Sequence, residues 1–265
     1  MLTKNTIKYI NSLRIKKYRD IHKQFIIEGD KLVDEFLHST WEITDVYATK
    51  KWIDTLSPVL RGKTNQLSEI KKDELKKISS LKSPHNVLAI IKKSSFILDY
   101  EELSNGLSLV LDDIRDPGNL GTIVRVAAWF GIRNIICSPD TVDVFNPKVI
   151  QASMGAMLQV KVFYCDLINF LDEFSRFKLP VYGTFLDGKS VYDLSLSPTG
   201  LILMGNEAQG LSEKYHSYIT QKLFIPGYQD IKSGIDSLNV SVATAIICSE
   251  FRRRRIKNPK GFPNP

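Results

Sequence analysis

Three stretches of this 265-residue chain concentrate the side chains that could do chemistry. "RDPGNLGTIVR" offers Asn119 and Arg125, "MGNEAQGLS" offers Asn206 and Glu207, and "SLNVSVATAI" offers Ser237 and Asn239. Glu207 is the one carboxylate in "NLGTIVR", "MGNEAQGLS" and "SLNVSVATAI". Arg125 interrupts an apolar run, Ile123, Val124, Val126, Ala127, Ala128, Trp129 and Phe130. A guanidinium does not shed its proton cheaply, so a helix of this composition needs a reason to carry one. Taken singly, each feature also has an ordinary structural reading. Arg125 can pack its stem and snorkel its head to water. Gly205 and Gly210 can make a plain turn into a helix, and Ser237 or Asn239 can be an N-cap.

The elements that must position these residues follow from the pattern around them. Apolar strand candidates "LSLVLD", "RNIICS", "VKVFY", "LPVYGTF", "LILMG" and "KLFIP" alternate with helical segments, which argues for a mostly parallel sheet covered on both faces. In such sheets ligands bind in the loops at the carboxyl ends of strands, and the three stretches occupy such loops. Gly118 and Gly121 permit positive φ and close backbone approach in the first loop, and Arg125 falls about one turn into the helix that follows. The second loop has neither the G-x-G-x-x-G dinucleotide spacing nor a Gly-Lys-Ser/Thr of its own, so dehydrogenase and NTPase readings find no support in it.

The front of the chain differs in charge. Residues 1–95 hold 19 Lys+Arg against 11 Asp+Glu, a net +8, whereas residues 96–265 hold 17 against 18, a net −1. A basic excess confined to one module suits a polyanion-binding domain. Its pattern alternates helices and strands: a helix through "TKNTIKYINSLRIKKYRD", strands at "QFIIEG", "ITDVYAT" and "NVLAIIK", and an amphipathic helix after "LSEI" with Ser68 as N-cap. A polar join ending in Asn-Gly separates the two modules. We expect a small α/β domain over 1–95, a linker over 96–106, a second domain over 107–258 and a tail over 259–265. Overall composition, 43% hydrophobic and 25% charged, is that of a globular protein without an apolar run of membrane-spanning length. Cys137, Cys165 and Cys248 read as reduced core thiols, and the four histidines show no ligand spacing, so no metal site is expected and the cytoplasm is the expected compartment.

Taken together, "NLGTIVR", "GNEAQGLS" and "IP…SLNVSVATAI", in this order, resemble the three motifs of the SpoU (TrmH-type) RNA ribose 2′-O-methyltransferases of the SPOUT superfamily. The front, "YINSLRIKKYRDIHKQFIIEGDKLVDEFL", is similar to the small L30e-like substrate-binding domain that many members carry. The resemblance implies a deep trefoil knot and an S-adenosylmethionine pocket. Gly205, Ile225 and Leu238 would contact the cofactor through backbone atoms, with Met204, Asn206, Gly210, Pro226 and Asn239 lining the same cavity. It implies a catalytic role for Arg125. Deprotonating a free guanidinium, with a pKa of about 13, costs on the order of 8 kcal/mol at pH 7. Gripping the phosphate beside the target ribose is therefore the easier role, for which a planar fork of donors is suited. Asn119 would orient the ribose or Arg125. Glu207 would anchor Arg125, contact the substrate or hold its loop, and Ser237 and Asn239 would complete the pocket. The partners implied are RNA, with rRNA preferred over tRNA, and a second copy of the chain. Gly227 after Pro226 and the long stretch 227–236 depart from the family pattern. A tRNA ribose methyltransferase, a base methyltransferase and a non-catalytic ribosome-assembly factor are the competing readings.

Overall fold

The computed structural model describes residues 2–228 and 237–253. In chain order the elements are α1 (Lys4–Ser12), α2 (Lys16–His22), β1 (Gln24–Glu28), α3 (Asp30–Leu37), β2 (Ile43–Ala48), α4 (Lys50–Ile53), α5 (Pro58–Arg61), β3 (Thr64–Glu69), α6 (Lys72–Ile78) and β4 (Val87–Lys92). They continue as α7 (Tyr100–Ser104), β5 (Leu107–Leu111), α8 (Pro117–Trp129), β6 (Asn134–Cys137), α9 (Pro147–Ser153), β7 (Lys161–Tyr164), α10 (Leu167–Ser175), β8 (Val181–Ser190), β9 (Gly200–Met204), β10 (Gln221–Phe224) and α11 (Val240–Arg253). The chain divides into two compact units. One is the chain through Phe96 together with Asp143–Leu158, and the other is Ile97–Val142 together with the chain from Gln159 on.

The first unit carries a four-stranded sheet in the order β1-β4-β2-β3, antiparallel except for the parallel β2/β3 pair. Ile10 and Leu13 from the α1 end, and Leu75 and Ile78 from α6, pack on Ile26, Leu88 and Ile90 of the sheet. A second apolar group is aromatic: Phe25 lies against Phe36, Trp41 and Phe145, at ring separations of 4.7–6.2 Å. Phe145 and α9 are thus part of this unit, although the sequence on either side of Asp143–Leu158 belongs to the other. Sequence periodicity does not expose that insertion.

Two local expectations fail here. The first helix is broken at Leu13–Ile15 into α1 and α2. Leu13 and Arg19 are both buried. Six residues span 600°, so an unbroken helix would turn one of them away from the interior. Ser68 is not an N-cap either: it lies in β3, whose partner β2 binds it in parallel register, and the helix that follows starts after Lys71. Glu74 reaches back to the Lys71 amide (3.1 Å) and also accepts from the Leu2 amide (2.8 Å). Those two backbone bonds hold its carboxyl below the usual range.

The second unit carries six strands in the order β10-β8-β9-β5-β6-β7, every pair parallel. The expected mostly parallel α/β sheet is therefore present. One face is closed by α10, whose Phe170, Leu171 and Phe174 pack with Val110, Ile136, Leu201 and Leu203. α8 and α11 pack against each other, burying Ile123, Val124 and Ala127 of the first and Thr244, Ile247 and Cys248 of the second. Arg252, in the last turn of α11, donates to Phe130 O (2.7 Å) and Gly131 O (3.2 Å), the carbonyls just past the end of α8. The join before β5 is partly helical, since Asp99 caps α7 by accepting from the Glu101 and Glu102 amides. The expected tail over 259–265 lies outside the described residues.

Candidate active site

β5 and β9 are neighbours and end together: Leu111 pairs with Met204, and the Asp112 amide donates to Met204 O at 2.9 Å. Two motif loops therefore leave the sheet side by side. Asn206 ties them together. Its Nδ2 donates to Asp113 O (2.8 Å) and Asp113 Oδ2 (3.2 Å), while its Oδ1 accepts from the Ala208 and Gln209 amides. Asp113 adopts the left-handed conformation (φ 55°), its amide held by Ser138 Oγ at 2.8 Å. Arg115 grips the same carboxylate through Nε and Nη2, both at 2.9 Å, which raises its own pKa. Asp112 is buried and accepts from the Ser212 amide at 2.9 Å; burial is the main cause raising its carboxyl above the usual range. Sequence reasoning passed over Asp112, Asp113 and Ser212. The doubled acid directly after an apolar strand was their signal.

The second loop closes on itself. Asn206 and Gly210 exchange two backbone bonds of 3.0 and 2.9 Å, and Gly210 supplies a φ of 70°. A Cβ on Gly205 would lie 2.2 Å from the Gly210 carbonyl carbon and the Leu211 nitrogen, so only glycine allows this closure.

The first loop enters α8 with Asp116 as N-cap, accepting from the Asn119 amide at 2.8 Å, and with Pro117 as the first helical residue. Gly118 and Gly121 thus sit inside the helix, and neither uses the positive φ that glycine permits. A Cβ on Gly118 would stand 2.9 Å from Asp116 Oδ1, so a larger residue there would have to displace the capping carboxylate. Arg125 is the ninth residue of α8, roughly 12 Å along its axis rather than one turn in, and lies on its exposed face.

The motifs meet at Asn119. Its Nδ2 donates to Glu207 Oε1 at 2.7 Å, and its Oδ1 accepts from Asn239 Nδ2 at 2.9 Å. Asn239 Oδ1 in turn accepts from the Ser241 amide (2.9 Å) and hydroxyl (2.7 Å), and Asn239 O accepts from the Ala243 amide. Because a carboxylate only accepts, the direction of every amide in this chain is fixed from Glu207 through Asn119 to the start of α11. Glu207 therefore holds Asn119, a partner that sequence reasoning had not considered for it. Asn239 is the N-cap that the third motif suggested. Ser237 and Leu238 are exposed, and Ile225 and Pro226 follow β10 half-buried. Of the departing stretch 227–236, residues 229–236 lie outside the described residues.

The group fits an S-adenosylmethionine site by its chemistry. Leu238, Ile225 and Pro226 leave apolar side chains partly uncovered, while Asn119, Asn206 and Asn239 are engaged with one another's loops. That combination leaves apolar surface and backbone groups to meet an adenosine. Burial raises Cys137, pushes Cys165 up to about 11 and Cys248 up to about 12, and all three thiols are unpaired.

With this geometry established, similarity to known proteins is decisive. The SpoU rRNA Methylase family profile matches residues 106–249, and the MRM3-like substrate binding domain profile matches residues 4–89. The chain belongs to the SpoU rRNA methylase family. The Bacillus subtilis (strain 168) 23S rRNA (guanosine(2553)-2'-O)-methyltransferase RlmP is 27% identical over 248 residues, covering 93% of this chain and 95% of the relative. A solved TrmH-family protein from Porphyromonas gingivalis is 37% identical over 96% of this chain and 99% of its own, with a TM-score of 0.83. An AdoMet-bound rRNA methyltransferase from Sinorhizobium meliloti is 27% identical over 97% of each chain, again with a TM-score of 0.83.

Proposed function

We propose that this chain transfers the methyl group of S-adenosylmethionine to a ribose 2′-hydroxyl of ribosomal RNA. The amide chain Glu207–Asn119–Asn239 carries the reading, because it locks three motif loops into one site at the carboxyl ends of the strands. The cofactor supplies a methyl group already activated on a sulfonium. What is left to the protein is alignment of the ribose oxygen, which alone can be worth roughly 7–11 kcal/mol. Gly205, Ile225 and Leu238 hold the cofactor through backbone atoms, with Met204, Gly210 and Pro226 around it. Asn206 serves that pocket as a clamp on its walls. Arg125 would grip the phosphate beside the target and turn the hydroxyl toward the methyl; as the O–C bond forms and the S–C bond breaks, the hydroxyl proton would pass to that phosphate and S-adenosylhomocysteine would leave, and Ser237 would complete the wall facing the ribose. In this reading the closing strand and α11 thread an earlier loop as a trefoil knot. The three unpaired thiols suit a reducing compartment, and the cytoplasm is the setting proposed.

The test is transfer of tritium from labelled S-adenosylmethionine to separated pools of unmodified large-subunit rRNA and tRNA. Label in the rRNA pool that survives alkali as a dinucleotide is the expected result. Label confined to tRNA, or released by alkali, overturns it.

The working form is a homodimer through the second unit. Trp129 on α8 is 78% exposed and Val242 on α11 is 47% exposed, apolar surface on the two helices that also carry Arg125 and follow Asn239. Trp129→Glu is expected to convert a dimer into a monomer in light scattering, with methyl transfer falling at least tenfold. A variant that stays dimeric removes Trp129 from the interface.

A further inference from the structure

We infer that the exposed face of α2 is where the first unit takes hold of RNA, through phosphate contacts from Lys16, Lys17 and Lys23 and base stacking on Tyr18. This inference rests on the methyltransferase reading for its choice of RNA. Its evidence is the charge and burial of one short segment, "RIKKYRDIHK".

The helix break at Leu13–Ile15 turns this segment's side chains out of phase with α1. Arg19 goes inward, while Ile15–Tyr18 and Ile21–Lys23 are exposed. Ile15 is 56% exposed, Tyr18 37% and Ile21 60%, a cluster of large apolar groups on a helix that could have buried them. Lys16, Lys17 and Lys23 are exposed among them. Exposed apolar groups set singly need no explanation, but three within seven residues, ringed by cations, do.

The charges of the segment are sorted by partner. Arg19 is neutralised in the interior by Asp143 at 2.6 Å. Asp20, the one acid of the segment, is held by Lys93 at 2.7 Å, which lowers its pKa. With those pairings made, Lys16 and Lys17 on α2 and Lys23 at its C-cap, together with Arg14 just before it, are the exposed cations of the segment. Its backbone is held as well: Arg19 donates to Leu13 O and Arg14 O, and the Lys93 amide donates to Lys23 O at 2.7 Å. A helix that exposes lysines on the same short segment as an aromatic ring matches the combination by which proteins hold single-stranded nucleic acid: cations for the backbone, a ring for the base. An apolar protein partner would use Ile15 and Ile21 but would gain nothing from the ring of like charge.

The experiment measures binding of an unmodified large-subunit rRNA transcript to the full chain as a function of salt, with turnover followed separately. Lys16→Ala/Lys17→Ala is expected to weaken binding about tenfold at physiological salt. It should also make the slope of log K against log salt shallower by about 1.5, since two phosphate contacts are lost. Tyr18→Ala is expected to weaken binding about tenfold with the slope unchanged. S-adenosylmethionine affinity and the unfolding midpoint should match wild type, because these side chains are on the surface. RNA affinity and slope that stay at wild-type values in both variants overturn the inference and give this face to a protein partner. A wild-type chain that binds RNA through this face but transfers no methyl supports the surface and sinks the methyltransferase reading instead.

Discussion

Arg125→Ala is expected to lower kcat for methyl transfer about 10²–10³-fold, the loss seen when one preorganised donor to a developing charge is removed. The dissociation constant for S-adenosylmethionine should change less than twofold. The separation follows from where the residue sits. Arg125 is exposed on α8, so truncation opens no cavity, and alanine is the best helix former, so α8 is kept. The three motif loops are tied through Asn206, Asn119 and Asn239, none of which depends on the Arg125 side chain for the bonds described. What disappears is a planar set of donors that can hold a phosphate and the adjoining hydroxyl in one orientation. Arg125→Lys keeps the charge and loses the fork, so it should recover only part of the rate. Filter-based transfer assays at saturating RNA, with calorimetry for the cofactor, make the comparison. Near-normal turnover by the alanine variant ends the assignment of Arg125.

How much of this was legible beforehand differs between the two units for physical reasons. The parallel sheet of the second unit was readable because strands buried on both faces are continuous apolar runs, and the helices between them carry helical periodicity. The three site loops were readable as loops because glycine, proline and asparagine punctuate them. Their cross-links were not. That Glu207 would bond Asn119 across 88 residues, or Asn206 reach Asp113 across 93, depends on β5 and β9 being neighbours, which is a fact of topology rather than of local pattern. β3 escaped for a related reason. "TNQLSE" is polar, and it becomes a strand because β2 offers it an edge to pair with. The long reading of the first helix failed at Leu13–Ile15, where tertiary burial of Arg19 overrode helical spacing.

The second large effect is on stability, and it concerns that same arginine. Arg19→Ala is expected to cost the first unit about 3–5 kcal/mol. Arg19 is 2% exposed and Asp143 8% exposed. Nε and Nη2 both reach Asp143 Oδ2, at 2.9 and 2.6 Å, and Nη1 donates to Leu13 O and Arg14 O at 3.1 and 2.8 Å. Alanine would leave a buried carboxylate without its cation and two carbonyls without their donor. Desolvating an unpaired charge costs far more than the pair itself contributes, so the partner's removal should relieve the defect. The replacement Arg19→Met with Asp143→Leu should therefore be several kcal/mol more stable than Arg19→Ala, in urea unfolding followed by Trp41 and Trp52 fluorescence. Salt should change the single variant's deficit little, because a buried pair is weakly screened. A deficit below about 1 kcal/mol would make the pair equivalent to a surface contact and refute its role. The same pairing bears on where the molecule can be divided. Asp143–Leu158 belongs with the first unit and buries Val149 and Ile150, so cutting the chain at residue 95 would take away the partners of a segment that remains. An intact chain carrying Arg19→Ala loosens that segment without deleting its surroundings, and is the better way to ask what the first unit contributes to holding RNA.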